Sequence, residues 1–460
     1  MREETIIAPA TAQGQGALSV LRLSGPRALE LADLGFADAQ NRPLSAHAPR
    51  VLVHGFWREA PGALALDELM AVRFAAPASA TGECLVELQA HGGAANTRAL
   101  LRSCLRLGQP LGLRLAQPGE FTRRAFGHGK LDLAQAEAVA ELVGARSEAA
   151  RAAAARQLTG GLGQALAGPR QALLAALAKQ EAALDFPEDQ DQALGPEDRA
   201  ALQAALAALQ GLLKTASLGR RLREGFKVAL AGRPNTGKSS LLNALLGRSR
   251  ALVHAEAGTT RDWLEEPLEL EGLDLQLIDT AGLRGQARGL EAEGAARGLA
   301  RMAQADLLLL VLDADQGFVA EDAVALAQLP KQPACWVVWN KVDLRAAPVP
   351  PLQLRGLPML ALSAKTGAGL PDLKQALAKL GQEGLPGGQD LVLTQERHAQ
   401  ALAGACAALE RALQDLAQHA FAEVVAAALR EALDALGEIL GQSTRAELLD
   451  LIFSRFCIGK

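Results

Sequence analysis

No stretch limits what this chain can fold into as much as Gly232-Arg233-Pro234-Asn235-Thr236-Gly237-Lys238-Ser239, which fits GxxxxGKS. It follows the apolar run Phe226 to Ala231 and leads into a helix-forming segment, Ser240 to Leu246. Strand, glycine loop and helix in that order predict a phosphate-binding loop. Gly232 and Gly237 let the backbone curl until its N–H groups face the α- and β-phosphates. Lys238 reaches the β- and γ-phosphates, and the Ser239 hydroxyl takes a Mg²⁺ position. By itself the pattern also fits a plain strand-to-helix turn, so the segments after it carry the decision.

Residues 225–383 alternate strands and helices, the pattern of a doubly wound parallel sheet, with further strands at Leu273 to Ile278, Asp306 to Leu312, Ala334 to Trp339 and Met359 to Leu362. Such sheets bind ligands at the carboxyl ends of their strands, and most of these strands open into a polar motif there. Asp279-Thr280-Ala281-Gly282 is a DxxG, whose Asp serves the Mg²⁺ shell and whose Gly N–H meets the γ-phosphate. Asn340-Lys341-Val342-Asp343 is an NKxD. The Asp343 carboxylate can accept from both N1–H and the 2-amino group of guanine, a pair that adenine does not offer. Ser363-Ala364-Lys365 suits the loop whose backbone N–H meets guanine O6. Gly258-Thr259-Thr260-Arg261-Asp262 puts Thr260 where it completes the Mg²⁺ shell and senses the γ-phosphate. The position after the DxxG glycine is Leu283, which cannot orient a water, so hydrolysis needs another group for that task and another positive charge for the transition state.

The flanks differ in texture. Residues 1–128 read as mixed α/β, with short strands at Thr5 to Ala8, Ala17 to Leu23, Val51 to Trp57, Glu68 to Phe74 and Cys84 to Gln89, and a helix from Asn96 to Leu107. Thr81-Gly82-Glu83, His91-Gly92-Gly93 and Pro118-Gly119-Glu120-Phe121 read as turns. Residues 129–224 and 384–460 are helical, the first with Leu202, Leu206, Leu209 and Leu213 on one face, the second closing on a capping box at Thr444 to Glu447. Two unrelated helical regions would also fit. Helices bury one another pairwise, which favours one bundle carrying the nucleotide segment as an insert.

At 460 residues the chain holds roughly two to four domains. With 49% hydrophobic and 21% charged residues it is globular, and a net charge of −4 carries no global signal for nucleic acid. Five scattered cysteines, Cys84, Cys104, Cys335, Cys406 and Cys457, form neither a CxxC nor a disulfide framework. Together with the lack of a long apolar run after Met1-Arg2-Glu3-Glu4, this predicts a soluble cytoplasmic protein. Cys457 stands fourth from the end, but Gly459 and Lys460 suit a prenylation signal poorly, and its role stays open.

On Gly232 to Ser239 with Asn235, Gly258 to Asp262, Asp279 to Arg284, Lys130-Leu131-Asp132-Leu133-Ala134-Gln135-Ala136-Glu137 and the terminal Phe456-Cys457-Ile458-Gly459-Lys460, the chain resembles the MnmE (TrmE) family of tRNA-modification GTPases over nearly its whole length. The resemblance implies an N-terminal α/β folate-binding and dimerisation domain (1–128), a helical bundle domain in two parts (129–224 and 384–460) and an inserted Ras-like G domain (225–383). It implies GTP contacts from Asn235, Thr236, Gly237, Lys238, Ser239, Ser240, His254, Ala255, Glu256, Ala257, Gly258, Thr259, Thr260, Asp279, Thr280, Ala281, Gly282, Asn340, Lys341, Asp343, Ser363, Ala364 and Lys365. Mg²⁺ would sit on Ser239 and Thr260. K⁺ would sit on the Asn235 side chain, the His254 and Glu256 carbonyls and Thr259, replacing an arginine finger where two G domains pair. Glu291 would be the catalytic group that orients water.

The same resemblance implies a one-carbon tetrahydrofolate (5-formyl or methylene type) held by Arg22, Glu87, Lys130 and Lys460, a homodimer, and a flavin-dependent partner of the MnmG (GidA) type. Together they would add an aminomethyl-type group (carboxymethylaminomethyl) to C5 of the wobble uridine of tRNA. Two departures lie near the folate positions: Ala12 follows Thr11 where the family usually has Pro, and Ala80-Thr81-Gly82-Glu83-Cys84 replaces Phe-Thr-Gly-Glu-Asp. The alternative reading is a regulatory or ribosome-assembly GTPase that modifies nothing, although no GxxG loop in a basic context follows residue 384.

Overall fold

The computed structural model describes the chain outside residues 1–3, 13, 186–193, 248–264, 271–272, 280–301, 331–333, 346–350, 384–390, 443–445 and 460, and outside the side chains at 265–267, 273, 279, 353 and 382. The chain divides into two compact units. One comprises residues 1–143, 154–209 and 401–460; the other comprises 144–153 and 210–400.

The first unit begins with β1 (Ile6–Pro9), β2 (Leu18–Ser24), α1 (Ala28–Asp33), β3 (Phe36–Asp38), β4 (Val53–Trp57), β5 (Asp67–Phe74), β6 (Leu85–His91), α2 (Ala94–Gly108), β7 (Arg114–Leu115) and α3 (Glu120–Gly127). The sheet order is β3-β4-β5-β6-β2-β1-β7, antiparallel except where β7 joins β1. Strand alternation decides its two faces. Ile7, Leu21, Leu23 and Leu88 point into one core with Leu100 and Cys104 of α2 and with Trp57, whose indole N–H donates to Ser103 Oγ at 2.9 Å. Ile6 and Ala8 point the other way, onto Ala116 and Phe121. The short β3, β7 and α1 carry too little periodicity to be legible in the sequence. The Pro118 to Phe121 turn proves to be the entry of α3, with Gly119 in the left-handed region at φ 67°.

An ion-pair network ties α3 to this sheet. Arg124 reaches Glu83 and Glu120 at 2.9 Å each, and Arg114 grips Glu120 through both oxygens at 2.7 and 2.8 Å. Burial pushes the Glu120 carboxyl up, but bonds from Arg114, the Gln117 N–H and Arg124 outweigh it and hold the pKa at about 2, against an ordinary 4.5. A depressed carboxylate stabilises the fold fully above about pH 4.5 and loses that contribution as pH falls towards 2. Glu120→Gln is therefore expected to be less stable than wild type at pH 7, with the gap narrowing on acidification. Equal unfolding midpoints at pH 7 would contradict this.

Helices α4 (Leu133–Gly144), α5 (Glu148–Leu158), α6 (Gly161–Asp185), α7 (Pro196–Leu213) and α8 (Ala216–Glu224) follow. The second unit's sheet is built from β8 (Phe226–Ala231), β9 (Glu265–Leu270), β10 (Leu273–Asp279), β11 (Leu307–Asp313), β12 (Ala334–Asn340) and β13 (Met359–Ala361), with α9 (Lys238–Leu246), α10 (Ala320–Gln328) and α11 (Leu370–Gln382). Its order is β13-β12-β11-β8-β10-β9, parallel but for the β9–β10 pair. The central β11, Leu-Leu-Leu-Leu-Val-Leu-Asp, is buried on both faces, as a covered parallel strand must be. Each of its leucines contributes about 2 kcal/mol by leaving water. The chain ends with α12 (Glu396–Ala417), α13 (Ala422–Leu440) and α14 (Ala446–Ser454). Helix α6 packs along α13, where Ala426, Leu429, Ala432 and Leu436 are buried.

Candidate functional site

Because β8, β10, β11, β12 and β13 run parallel, their carboxyl ends share one edge of the sheet, and the polar motifs follow those ends. The loop from Gly232 to Ser239 closes there. Gly237 caps α9 at φ 94°, and a Cβ on it would collide with the Asn340 amide. Gly232 has φ 130°, and a Cβ there would meet the Val311 carbonyl. Glycine at both positions is thus a steric requirement of this turn. Asn235 takes a left-handed φ of 65° and is exposed. Lys238 is only 6% exposed, and its Nζ donates to the Gly232 carbonyl at 2.9 Å and the Arg233 carbonyl at 2.6 Å. Ser239 and Ser240 are exposed at the start of α9.

Asn340 joins three segments. Its Nδ2 donates to the Thr236 carbonyl at 2.9 Å and its Oδ1 accepts the Ala364 N–H at 2.9 Å, all buried or partly buried. Losing either contact strands a backbone group at a cost of about 1–3 kcal/mol. Lys341 bridges the Asn235 carbonyl at 2.8 Å and Asp313 Oδ2 at 2.7 Å. Burial pushes the Asp313 carboxyl up, but Lys341 and the Asp315 N–H outweigh it and hold it below the usual carboxylate range. Asp343 is exposed and aimed by Ser363, whose Oγ donates to its Oδ1 at 2.6 Å. Lys365 is exposed beside Ala364.

The structure thus brings together Asn235, Thr236, Gly237, Lys238, Asn340, Lys341, Asp343, Ser363 and Ala364. Asp279 closes β10 in register with Leu230 of β8, although its side chain is not among those described. His254, Ala255, Glu256, Ala257, Gly258, Thr259, Thr260, Thr280, Ala281, Gly282, Leu283 and Glu291 lie outside the described residues. Sequence reasoning missed Asp313, whose one signal was a lone carboxylate closing an apolar run.

In the first unit, Arg22 of β2 and Glu87 of β6 are direct cross-strand partners. Arg22 donates through Nε at 3.0 Å and a terminal nitrogen at 2.7 Å, both to Glu87 Oε1. Its guanidinium also lies 5.9 Å from the Phe121 ring centre. The C-terminal tail docks nearby. Phe456 packs on Phe453 and Leu133, the Gly119 N–H reaches the Cys457 carbonyl at 3.5 Å, and Gly459, at φ 98°, lies against the Pro9 carbonyl. Pro9 is one position beyond Ala8, the β1 partner of Arg22. Lys130 is exposed just after α3, Cys457 is exposed, and Lys460 lies outside the described residues.

A parallel sheet with a GKS loop, an Asn-Lys-x-Asp motif bound to that loop and a carboxylate held by a serine defines a P-loop GTPase domain, here joined to an antiparallel α/β unit and a helical bundle. Residues 133–457 match the family described as the MnmE helical domain, and residues 5–130 match the GTP-binding protein TrmE N-terminus. The chain belongs to the MnmE (TrmE) family of tRNA modification GTPases. It is 43% identical over 464 residues to the tRNA modification GTPase MnmE of Symbiobacterium thermophilum, covering 100% of both chains. To the protein of that name from Parvibaculum lavamentivorans it is 44% identical, covering 99% of this chain and 100% of the other. Among solved structures it matches the G domain of the T. maritima FeoB iron transporter at 28% identity and a TM-score of 0.26, over 34% of this chain and 98% of that one. Among the described residues no helix is long and apolar enough to cross a membrane.

Proposed function

We propose that this GTPase hydrolyses GTP to GDP and phosphate as part of a cytoplasmic complex that modifies C5 of the wobble uridine in tRNA, adding a carboxymethylaminomethyl-type group. The observation that carries this is end-to-end similarity to proteins named tRNA modification GTPase MnmE, above 40% identity with no part of the chain left over. The nucleotide chemistry rests on this chain's own residues. The loop N–H groups and Lys238 would take the phosphates, Asp343 would read the N1–H and 2-amino edge, and the Ser363-Ala364-Lys365 loop would border the base. Ser239, with Thr260, would hold Mg²⁺, which neutralises charge between the β- and γ-phosphates.

Asn235 supports a second cation. Among the described residues nothing bonds its side-chain amide, and it is exposed on a left-handed backbone. K⁺ held there with His254, Glu256 and Thr259 would supply the transition-state charge in place of an arginine finger, with Glu291 orienting the water that Leu283 cannot. In the first unit, Arg22 occupies one oxygen of Glu87 and leaves Oε2 without a protein partner among the described residues. A carboxylate with one free edge suits the donor edge of a pterin, and Lys130 and Lys460 suit the carboxylates of a folate tail. The domain limits 1–128, 129–224, 225–383 and 384–460, the homodimer and the MnmG-type flavin partner belong to the same proposal.

Mass spectrometry of tRNA nucleosides from cells lacking this gene tests it. The 5-aminomethyl-type wobble uridine is expected to vanish, to return with the wild-type gene and to stay absent with Asp343→Asn. Unchanged nucleosides would leave a GTPase without this purpose and make ribosome assembly the leading account.

A further inference from the structure

The phosphate loop is gripped from outside at two points, and both grips start from one short connection. Asp313 closes β11 and Asp322 is the third residue of α10; they are 2% and 0% exposed. Asp313 holds Lys341, which holds the Asn235 carbonyl. Asp322 Oδ1 accepts from Arg233 Nε at 3.1 Å, while its Oδ2 accepts the Val319 N–H at 3.2 Å at the head of α10. One carboxylate therefore caps a helix and seizes the loop. Between the two gripped residues stands Pro234, whose ring fixes its own φ and narrows the conformations open to the segment.

Stability is a weak account of the Arg233 pair. A terminal guanidinium nitrogen, Arg233 Nη2, is buried without a hydrogen-bond partner among the described residues, and removing charges from water offsets much of what an ion pair gains. Position does account for it. The Arg233 carbonyl accepts from Lys238 Nζ at 2.6 Å and from Thr236 Oγ1 at 3.1 Å, so the place of residue 233 determines where the ammonium sits.

We propose that Arg233 is a positioning residue for nucleotide phosphate binding, acting through buried Asp322 to hold the loop and Lys238 in the binding-competent arrangement before nucleotide arrives. The proposal rests on the nucleotide site described above. Once bound, the phosphates themselves hold Lys238 in place, so losing the preorganisation raises the dissociation constants of both GDP and GTP while turnover at saturation, read from the bound arrangement, is spared.

The test uses the full-length protein, with displacement of a fluorescent GDP analogue by GDP and GTP, kcat at saturating GTP, and thermal unfolding. Arg233→Ala is expected to weaken GDP and GTP equally, by about tenfold, with kcat near wild type. Asp322→Asn, which keeps an oxygen for the Val319 N–H, should lose the same amount, and the double variant no more than either single. Arg233→Lys, which keeps the charge without the planar fork, should fall between and serves if the alanine variant does not fold. Affinity within about twofold of wild type, losses that add in the double variant, or a fall in kcat at unchanged affinity would each overturn the proposal. A wild-type protein that binds no GDP would be a different failure, that of the nucleotide site itself.

Discussion

Asp343→Asn is expected to lower the affinity for GTP by about 10³-fold and to raise that for XTP. The carboxylate offers two acceptor oxygens to the two donors on one edge of guanine. An amide at the same place offers one acceptor and one donor, so it meets the guanine 2-amino group with a like group. Xanthine carries an oxygen at that carbon, which the amide N–H can bond. Ser363 Oγ, 2.6 Å from the carboxylate, can still donate to the amide oxygen, so the variant keeps its aim. Position 343 is exposed, which keeps the stability change within about 0.5 kcal/mol. Nucleotide titrations with GTP and XTP check this. GTP affinity that survives the change would mean that the carboxylate does not read the base.

Lys238→Ala should cost at least about 10²-fold in GTP affinity and about 10³-fold in turnover, since the ammonium faces charge that grows in the transition state. Here Lys238 is buried and bonded to the Gly232 and Arg233 carbonyls, inside the turn proposed to take the phosphates. Lys238→Arg should rescue little, because a planar fork of donors does not reproduce the compact ammonium that bonds the two loop carbonyls. Calorimetry for binding and phosphate release for turnover separate the two effects. Hydrolysis by the arginine variant within a few-fold of wild type would show that charge alone suffices there.

The same residues show where reading a sequence works. Gly232, Gly237, Lys238 and Ser239 lie within eight residues, and their spacing is a local property of one turn, so pattern alone placed them. Strands β8, β11 and β12 were legible for the same reason, each being a short, mostly apolar run. The bounds of β8 held, and those of β11 and β12 moved by one residue, where the polar residues Asp313 and Asn340 close the strand. Arg22 and Glu87 are named separately through a resemblance; that the two face each other depends on β2 and β6 being neighbours, which no local pattern states.

By itself, then, the sequence determined the GTPase motifs, the alternation of helix and strand, and the family, because these depend on contacts between residues near in the chain or on order along it. Only the tertiary structure decided that Asp322 grips Arg233 across 89 positions, that Asp313 steers Lys341 onto Asn235, and that Gly459 of the tail comes to rest on Pro9. Each of these is a bond between groups whose distance is set by sheet order and helix packing. A side chain can carry such a partner in its chemistry but not in its spacing.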